Sequence, residues 1–190
     1  MSTLGFALLA TLARGPHSGY DLAQRLRHDV APFWHAAHSH IYPELTRLLD
    51  QHLVSVEHVA QDDRPDKKLY ALTPAGWAAL RGWLAAPTPP RAVRDELVLK
   101  AYAAWAGDRA ALVAQFREHE RLHGERLAHY EAVAARMEQR DQDALADWRS
   151  PTFASYATLR RGISFEREYV AWCRWLADRV EHQPDDRDRV

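Results

Sequence analysis

The chain has 190 residues, 47% apolar and 27% charged, with a formal net charge of −1, a balance that excludes a disordered chain and gives no overall attraction to nucleic acid. No run approaches the roughly 18 apolar residues of a membrane span, and the single cysteine, Cys173, excludes an internal disulfide and points to a cytoplasmic protein. From Leu4 to Arg14 apolar residues recur at helical spacing (Leu4, Leu8, Leu9, Leu12) before Gly15 and Pro16. No basic segment precedes this stretch, so it reads as a core helix rather than a leader. A second helix opens at Ser18, with Asp21 in capping-box position and Leu22, Leu26 and Val30 as its stripe up to Pro32. The third, HSHIYPELTRLLDQHL, has Ser39 as cap and Pro43 near its first turn, and faces Ile41, Leu45, Leu48, Leu49 and Leu53 inward. The period then changes. Val54, Val56 and Val59, and after them Leu69 to Leu72, flank the polar QDDRPDKK and predict a hairpin. Thr73 caps a fourth helix with Pro74 at its first position, continued by Trp77, Leu80 and Leu84.

This order is that of a winged helix-turn-helix unit over residues 1–86, and the proline-rich Ala86 to Pro90 reads as a linker. Beyond Arg91 the chain is almost wholly helical: one helix from Val93 to Ala106, a break at Gly107 and Asp108, and a long helix to about Gln139. Pro151 marks another break, and a last helix runs from about Tyr156 to Glu181. The expected fold class is mainly α with a small β-hairpin: an N-terminal winged helix-turn-helix domain and a C-terminal helical dimerisation domain, residues 91–182, with a disordered tail at 183–190. The last helix is apolar on more than one stripe and needs cover on two sides. The dimer is therefore expected to form through Leu112, Phe116, Leu127 and Tyr130 of the long helix and Ile163, Tyr169, Trp172 and Leu176 of the last.

In this architecture the third helix enters the major groove with its first turns foremost. Ser39, His40, Tyr42, Thr46 and Arg47, with Pro43 in the same turn, are its candidate DNA contacts. Arg47 suits either a bidentate guanine contact or a phosphate. The chain has only three lysines, and two of them, Lys67 and Lys68, join Arg64 near the hairpin tip as candidates for phosphate or minor-groove contact. Asp62, Asp63 and Asp66 stand beside these cations and weaken their attraction for phosphate.

The segments SGYDLAQRL, IYPELTRLL and KKLYALTPAG, followed by an all-helical second half, resemble the PadR family of bacterial transcriptional regulators, in the branch with a larger helical C-terminal domain related to Vir-type regulators. The resemblance is strong through the fourth helix and rests on helix order beyond it. It implies homodimers that bind operator DNA, commonly as repressors, and in many members release it on binding a small aromatic or hydrophobic effector. His52 departs from the pattern, because the family usually has glycine at the end of the recognition helix, where a left-handed turn strains other residues.

A rival reading comes from His119, Glu120 and His123, which spell H-E-x-x-H, the zinc-hydrolase signature. His129 stands where one branch of those enzymes has its third ligand, but that branch needs a glycine turn where Arg126 stands. On an unbroken helix His129 lies about 120° around from His123, so the three cannot converge. The expectation is therefore no metal, no cofactor and no catalysis; a zinc-dependent hydrolase and a helical scaffold without DNA binding are the alternatives. His35, His38 and His40 suit a pH or metal sensor, or more simply the polar start of a helix. Trp34, Trp105, Trp172 and Trp175 are candidates to stack on an effector or to fill a core, and no pocket is singled out. Cys173 reads as a small buried apolar residue.

Overall fold

Leu8, Leu9, Leu22, Ile41, Leu45 and Leu48 are fully buried and form the centre of the first of two units into which the chain divides, Met1–Pro90 and Arg91–Val190. The computed structural model describes residues 1–27, 40–59, 67–90 and 94–183. Helix α1 (Thr3–Leu12) is capped by Ser2, and α2 (Gly19–Arg25) by the expected box, in which Ser18 Oγ accepts from Asp21 N while Ser18 N donates to the Asp21 carboxylate. Helix α3 spans Ile41–Asp50, and Ser39, expected to cap it, lies outside the described residues, as do Val30 and Pro32.

The sheet has three strands where a two-stranded hairpin was expected. Strands β2 (Val54–Val59) and β3 (Lys67–Leu72) pair antiparallel, and β1 (His17–Ser18) adds to the free edge of β3, in the order β1-β3-β2. Two residues are too short a run to show any period. Helix α4 (Pro74–Ala85) begins as expected, with Thr73 accepting Gly76 N–H (3.0 Å) and Pro74 in its first turn. Gly76 is demanded by a close approach, since a Cβ there would lie 2.0 Å from the Leu53 carbonyl oxygen. Leu84, which continues the helical spacing of Leu80, is exposed, while its neighbour Trp83 stacks on Phe6 with ring centroids 4.7 Å apart.

In the second unit the helix expected from Val93 to Ala106 is two pieces, α5 (Glu96–Tyr102) capped by Asp95 and a 3-10 turn at Ala104–Ala106. Helix α6 (Arg109–Arg140) follows, capped by Asp108, then a short α7 (Gln142–Ala146) that the sequence did not announce. Helix α8 is Pro151–Glu181, so Pro151 opens the helix rather than breaking the chain before it: Ser150 caps, and proline in the first turn forfeits no intrahelical bond. Helices α6 and α8 run antiparallel, since Arg117 meets Asp178 near one end and Tyr156 bonds Glu138 near the other. Between them lie two apolar clusters, one of Leu97, Phe116, Tyr169, Cys173 and Ala177 and one of Tyr130, Ala134 and Ile163.

These clusters take up the residues of the expected dimer seam. Phe116, Tyr130, Ile163 and Tyr169 are buried inside a single chain, and Leu112, Leu127, Trp172 and Leu176 pack half-buried at the edges of the same clusters. The returning helix supplies cover for these stripes in cis. Cys173 is fully buried as expected, and burial, aided by Glu120 and Asp95, pushes its thiol up to about 11.

Helix α3 ends in a Schellman turn: His52 N–H donates to Leu49 O (2.8 Å) and Leu53 N–H to Leu48 O (2.9 Å), with His52 at φ 56°. A side chain in that conformation is strained. His52→Gly should therefore stabilise the protein by about 0.5–1 kcal/mol, net of glycine's larger unfolded-state entropy. Thermal denaturation checks this, and a lowered midpoint would mean that the turn is not strained.

Candidate nucleic-acid interface

Helix α3 is amphipathic because Ile41, Leu45 and Leu48 recur at intervals of three and four and bury one face against α1 and α2. The opposite face presents His40, Tyr42, Pro43, Thr46 and Arg47, all exposed. Pro43 sits in the first turn, where backbone N–H groups have no intrahelical partner. Thr46 Oγ1 donates to Tyr42 O (3.2 Å), and the Tyr42 ring packs across the backbone of Gly19 at the start of α2. Arg47 is two-thirds exposed, yet one Nη1–H donates to Glu44 Oε2 at 2.8 Å. Glu44 was not singled out in the sequence; its place on the inward stripe, between Ile41 and Leu48, was the available signal.

At the sheet, Lys67 and Lys68 begin β3 instead of sitting in the turn, and Arg64 with the three neighbouring aspartates lies outside the described residues. Lys68 is exposed, whereas the Lys67 ammonium lies 3.1 Å from Asp21 Oδ2. The Ser18 hydroxyl, and after it Lys67, hold the Asp21 carboxyl below the usual carboxylate range against the opposing effect of burial. Burial and the cations Arg25 and Lys67 lower the pKa of His17. Positive charge beside His17 comes from Arg25 and Lys67.

Residues 8–82 match the family model of the transcriptional regulator PadR-like family, and residues 93–181 that of the virulence activator alpha C-terminal region. The negative transcriptional regulator PadR of Bacillus subtilis is 32% identical over 177 residues, spanning 90% of this chain and 94% of that protein. The chain belongs to the PadR family. Its fold matches that of B. subtilis PadR in complex with operator DNA, with a TM-score of 0.85 and 29% identity over 94% of this chain and 99% of that one. The same B. subtilis protein in complex with p-coumaric acid matches with a TM-score of 0.64 and 29% identity over 95% and 100% of the two chains. As a PadR-family member this chain is a DNA-binding transcriptional regulator.

Two of the H-E-x-x-H residues of this PadR-family chain, Glu120 and His123, are engaged with other partners. Burial would raise the Glu120 pKa, but Arg174 (2.6 Å) and Arg117 (3.0 Å) outweigh it and hold the carboxyl below its usual range. His123 stacks on Tyr169 at 4.1 Å, and its Nδ1 lies 2.5 Å from the buried carboxylate of Glu166, which also accepts from Arg126 (3.1 Å). Among the described residues no three metal-ligating side chains converge. A carboxylate clamped by two arginines is not free to activate water. Zinc added to the purified protein and dialysed away should therefore leave well under one equivalent bound, and Glu120→Gln should leave DNA affinity unchanged. Stoichiometric zinc retained by the purified protein, together with a peptidase activity that Glu120→Gln abolishes, would contradict this assignment.

Proposed function

We propose that the protein represses transcription as a homodimer on a pseudo-palindromic operator, with α3 of each copy in the major groove and the β2–β3 ladder against the DNA backbone. The observation that carries this reading is the outward face of α3, where Tyr42, Thr46 and Arg47 stand together on a helix held by leucines, in a chain that resembles B. subtilis PadR solved on operator DNA along nearly its whole length. Arg47 is assigned a guanine contact, and His40, Tyr42, Pro43 and Thr46 line the same groove. Ser39 and Arg64 keep their assignment to the DNA face. Lys68 contributes more to phosphate binding than Lys67, whose ammonium already faces Asp21. Release by a small aromatic or hydrophobic molecule is supported by the B. subtilis relative solved with p-coumaric acid. The protein acts by binding alone, in the cytoplasm; no helix among the described residues is long and apolar enough to cross a membrane.

The dimer is assigned to α5 and the adjoining face of α8. Tyr102 is 83% exposed and Trp105 89%, and beside them Val98, Leu99 and Phe165 line or border a hollow of about 1120 Å³ within the second unit. The hollow is open to the surface and lined mainly by apolar side chains, so a helix of a second copy can lie in it. Its rim carries Arg94 and Arg161 as well as Glu96 and Glu168, the mixed charge that a two-fold related copy can match. Leu99→Asp with Tyr102→Asp should give a folded monomer by light scattering and circular dichroism, and a dimer that survives both changes would place the interface elsewhere.

Two substitutions separate readout from phosphate binding on a duplex selected from random DNA by the wild-type protein. Arg47→Ala should weaken binding to that duplex by about 1–3 kcal/mol and to scrambled DNA by much less. Lys68→Ala should weaken both alike and lower the slope of log K against log salt by about 1, with a smaller change for Lys67→Ala. Equal losses on both duplexes for Arg47→Ala would remove the assigned base contact.

A further inference from the structure

Glu44 stands where the helical pattern asks for a leucine. It follows Ile41 by three residues and precedes Leu48 by four, and it is only 5% exposed. A carboxylate on that stripe is costly unless both oxygens find donors. Both do. Oε1 receives the Ser2 hydroxyl at 2.5 Å, and Oε2 receives Arg47 Nη1–H at 2.8 Å. Ser2 has one proton to give, and because its oxygen accepts Gly5 N–H (2.9 Å) as the cap of α1, that proton is left for Glu44. Gly5 supplies the room, since a Cβ there would lie 2.7 Å from Glu44 Oε1. The first turn of α1 is thus shaped around one carboxylate of α3, and the positive end of the α1 dipole favours the charge.

The consequence lies on the outer face of α3. An exposed pair at this spacing usually joins two mobile side chains and contributes little. Here the carboxylate is fixed from behind, so the Arg47 guanidinium loses rotational freedom before DNA arrives. Its remaining N–H donors stay available to a base.

We propose that Glu44 is a positioning residue for DNA readout: held by Ser2 and Gly5, it pre-orients Arg47, so that sequence discrimination depends on this buried carboxylate more than general affinity does. The proposal rests on the reading that Arg47 contacts a base, and the test separates the two.

The full-length protein first selects a duplex from a random pool. That duplex and a scrambled one are then titrated with Arg47→Ala, Glu44→Leu and the double variant, and the melting temperature of each is recorded. Arg47→Ala should lower the ratio of the two affinities about 5- to 150-fold. Glu44→Leu completes the apolar stripe, so the melting temperature should hold or rise while the ratio falls about two- to ten-fold, the cost of ordering one arginine on binding. In the Arg47→Ala background Glu44→Leu should change the ratio no further. Should leucine not fold there, Glu44→Gln keeps the shape without the charge and should lose part of the same ratio. An unchanged ratio in the Glu44 variant beside a lowered one in Arg47→Ala overturns the positioning role and leaves the arginine contact standing. Equal loss with and without Arg47 overturns it too, because Glu44 would then act through the fold. No loss in Arg47→Ala removes the base contact and the proposal together.

Discussion

Burial of Ile41, Leu45 and Leu48 of α3 in the cluster that holds Leu8, Leu9 and Leu22 decides what the first unit can show to DNA. Each such side chain is stabilised by about 1.5–3 kcal/mol on leaving water, so turning α3 about its axis would expose leucines and bury Arg47. The helix is stopped as firmly as it is oriented. Its Schellman turn is clasped by Thr73, whose hydroxyl donates to His52 O (2.7 Å) while accepting from Gly76 N, so the end of α3 and the start of α4 share one side chain. Orientation and exit of the reading helix are therefore set by apolar packing and a cap, before any nucleic acid is considered.

Both buried carboxylates among the described residues are placed on inward helical positions and satisfied by hydrogen-bond partners, with at least one basic side chain in each case. In the first unit Glu44 turns that arrangement outward through Arg47. In the second, Glu166 lies between the two apolar clusters of α6 and α8 and takes His123 and Arg126 from the facing helix. A slip of one turn between α6 and α8 would leave Glu166 buried without these donors, at a cost of several kcal/mol. Apolar clusters alone tolerate such slips more readily. The polar cross-link thus explains how His123, within residues that spell an enzyme motif, serves the register of a helix pair.

The order of elements was legible because each announces itself locally. Ser18 with Asp21, Thr73 with Pro74 and the leucine spacing of α3 are signals contained within a few residues, and all appear in the structure as expected. What escaped depends on distance or brevity. Strand β1 is two residues long, and its pairing partner Tyr70 lies far along the chain. Lys67 and Lys68 look like turn residues but are strand residues, because register follows from Val59 and Val54 on β2. The packing of Phe116 against Tyr169 within one chain was not legible, since the sequence does not reveal that α8 folds back on α6. Glu44 escaped for a similar reason: a charge within a helix is read as outward, and one of the two donors that allow the inward placement, Ser2, lies far off in sequence.

Methylation interference at guanine N7 tests most directly the proposed reading of guanine by Arg47 in the major groove. On a duplex selected by the wild-type protein, N7 methylation should block binding at a symmetric pair of guanines, one per half-site, about 10 to 10.5 base pairs apart or a multiple of that spacing. In the Arg47→Ala protein the same methylations should have no effect. Interference that persists unchanged without Arg47, or that appears at no major-groove guanine, would contradict this account of the interface.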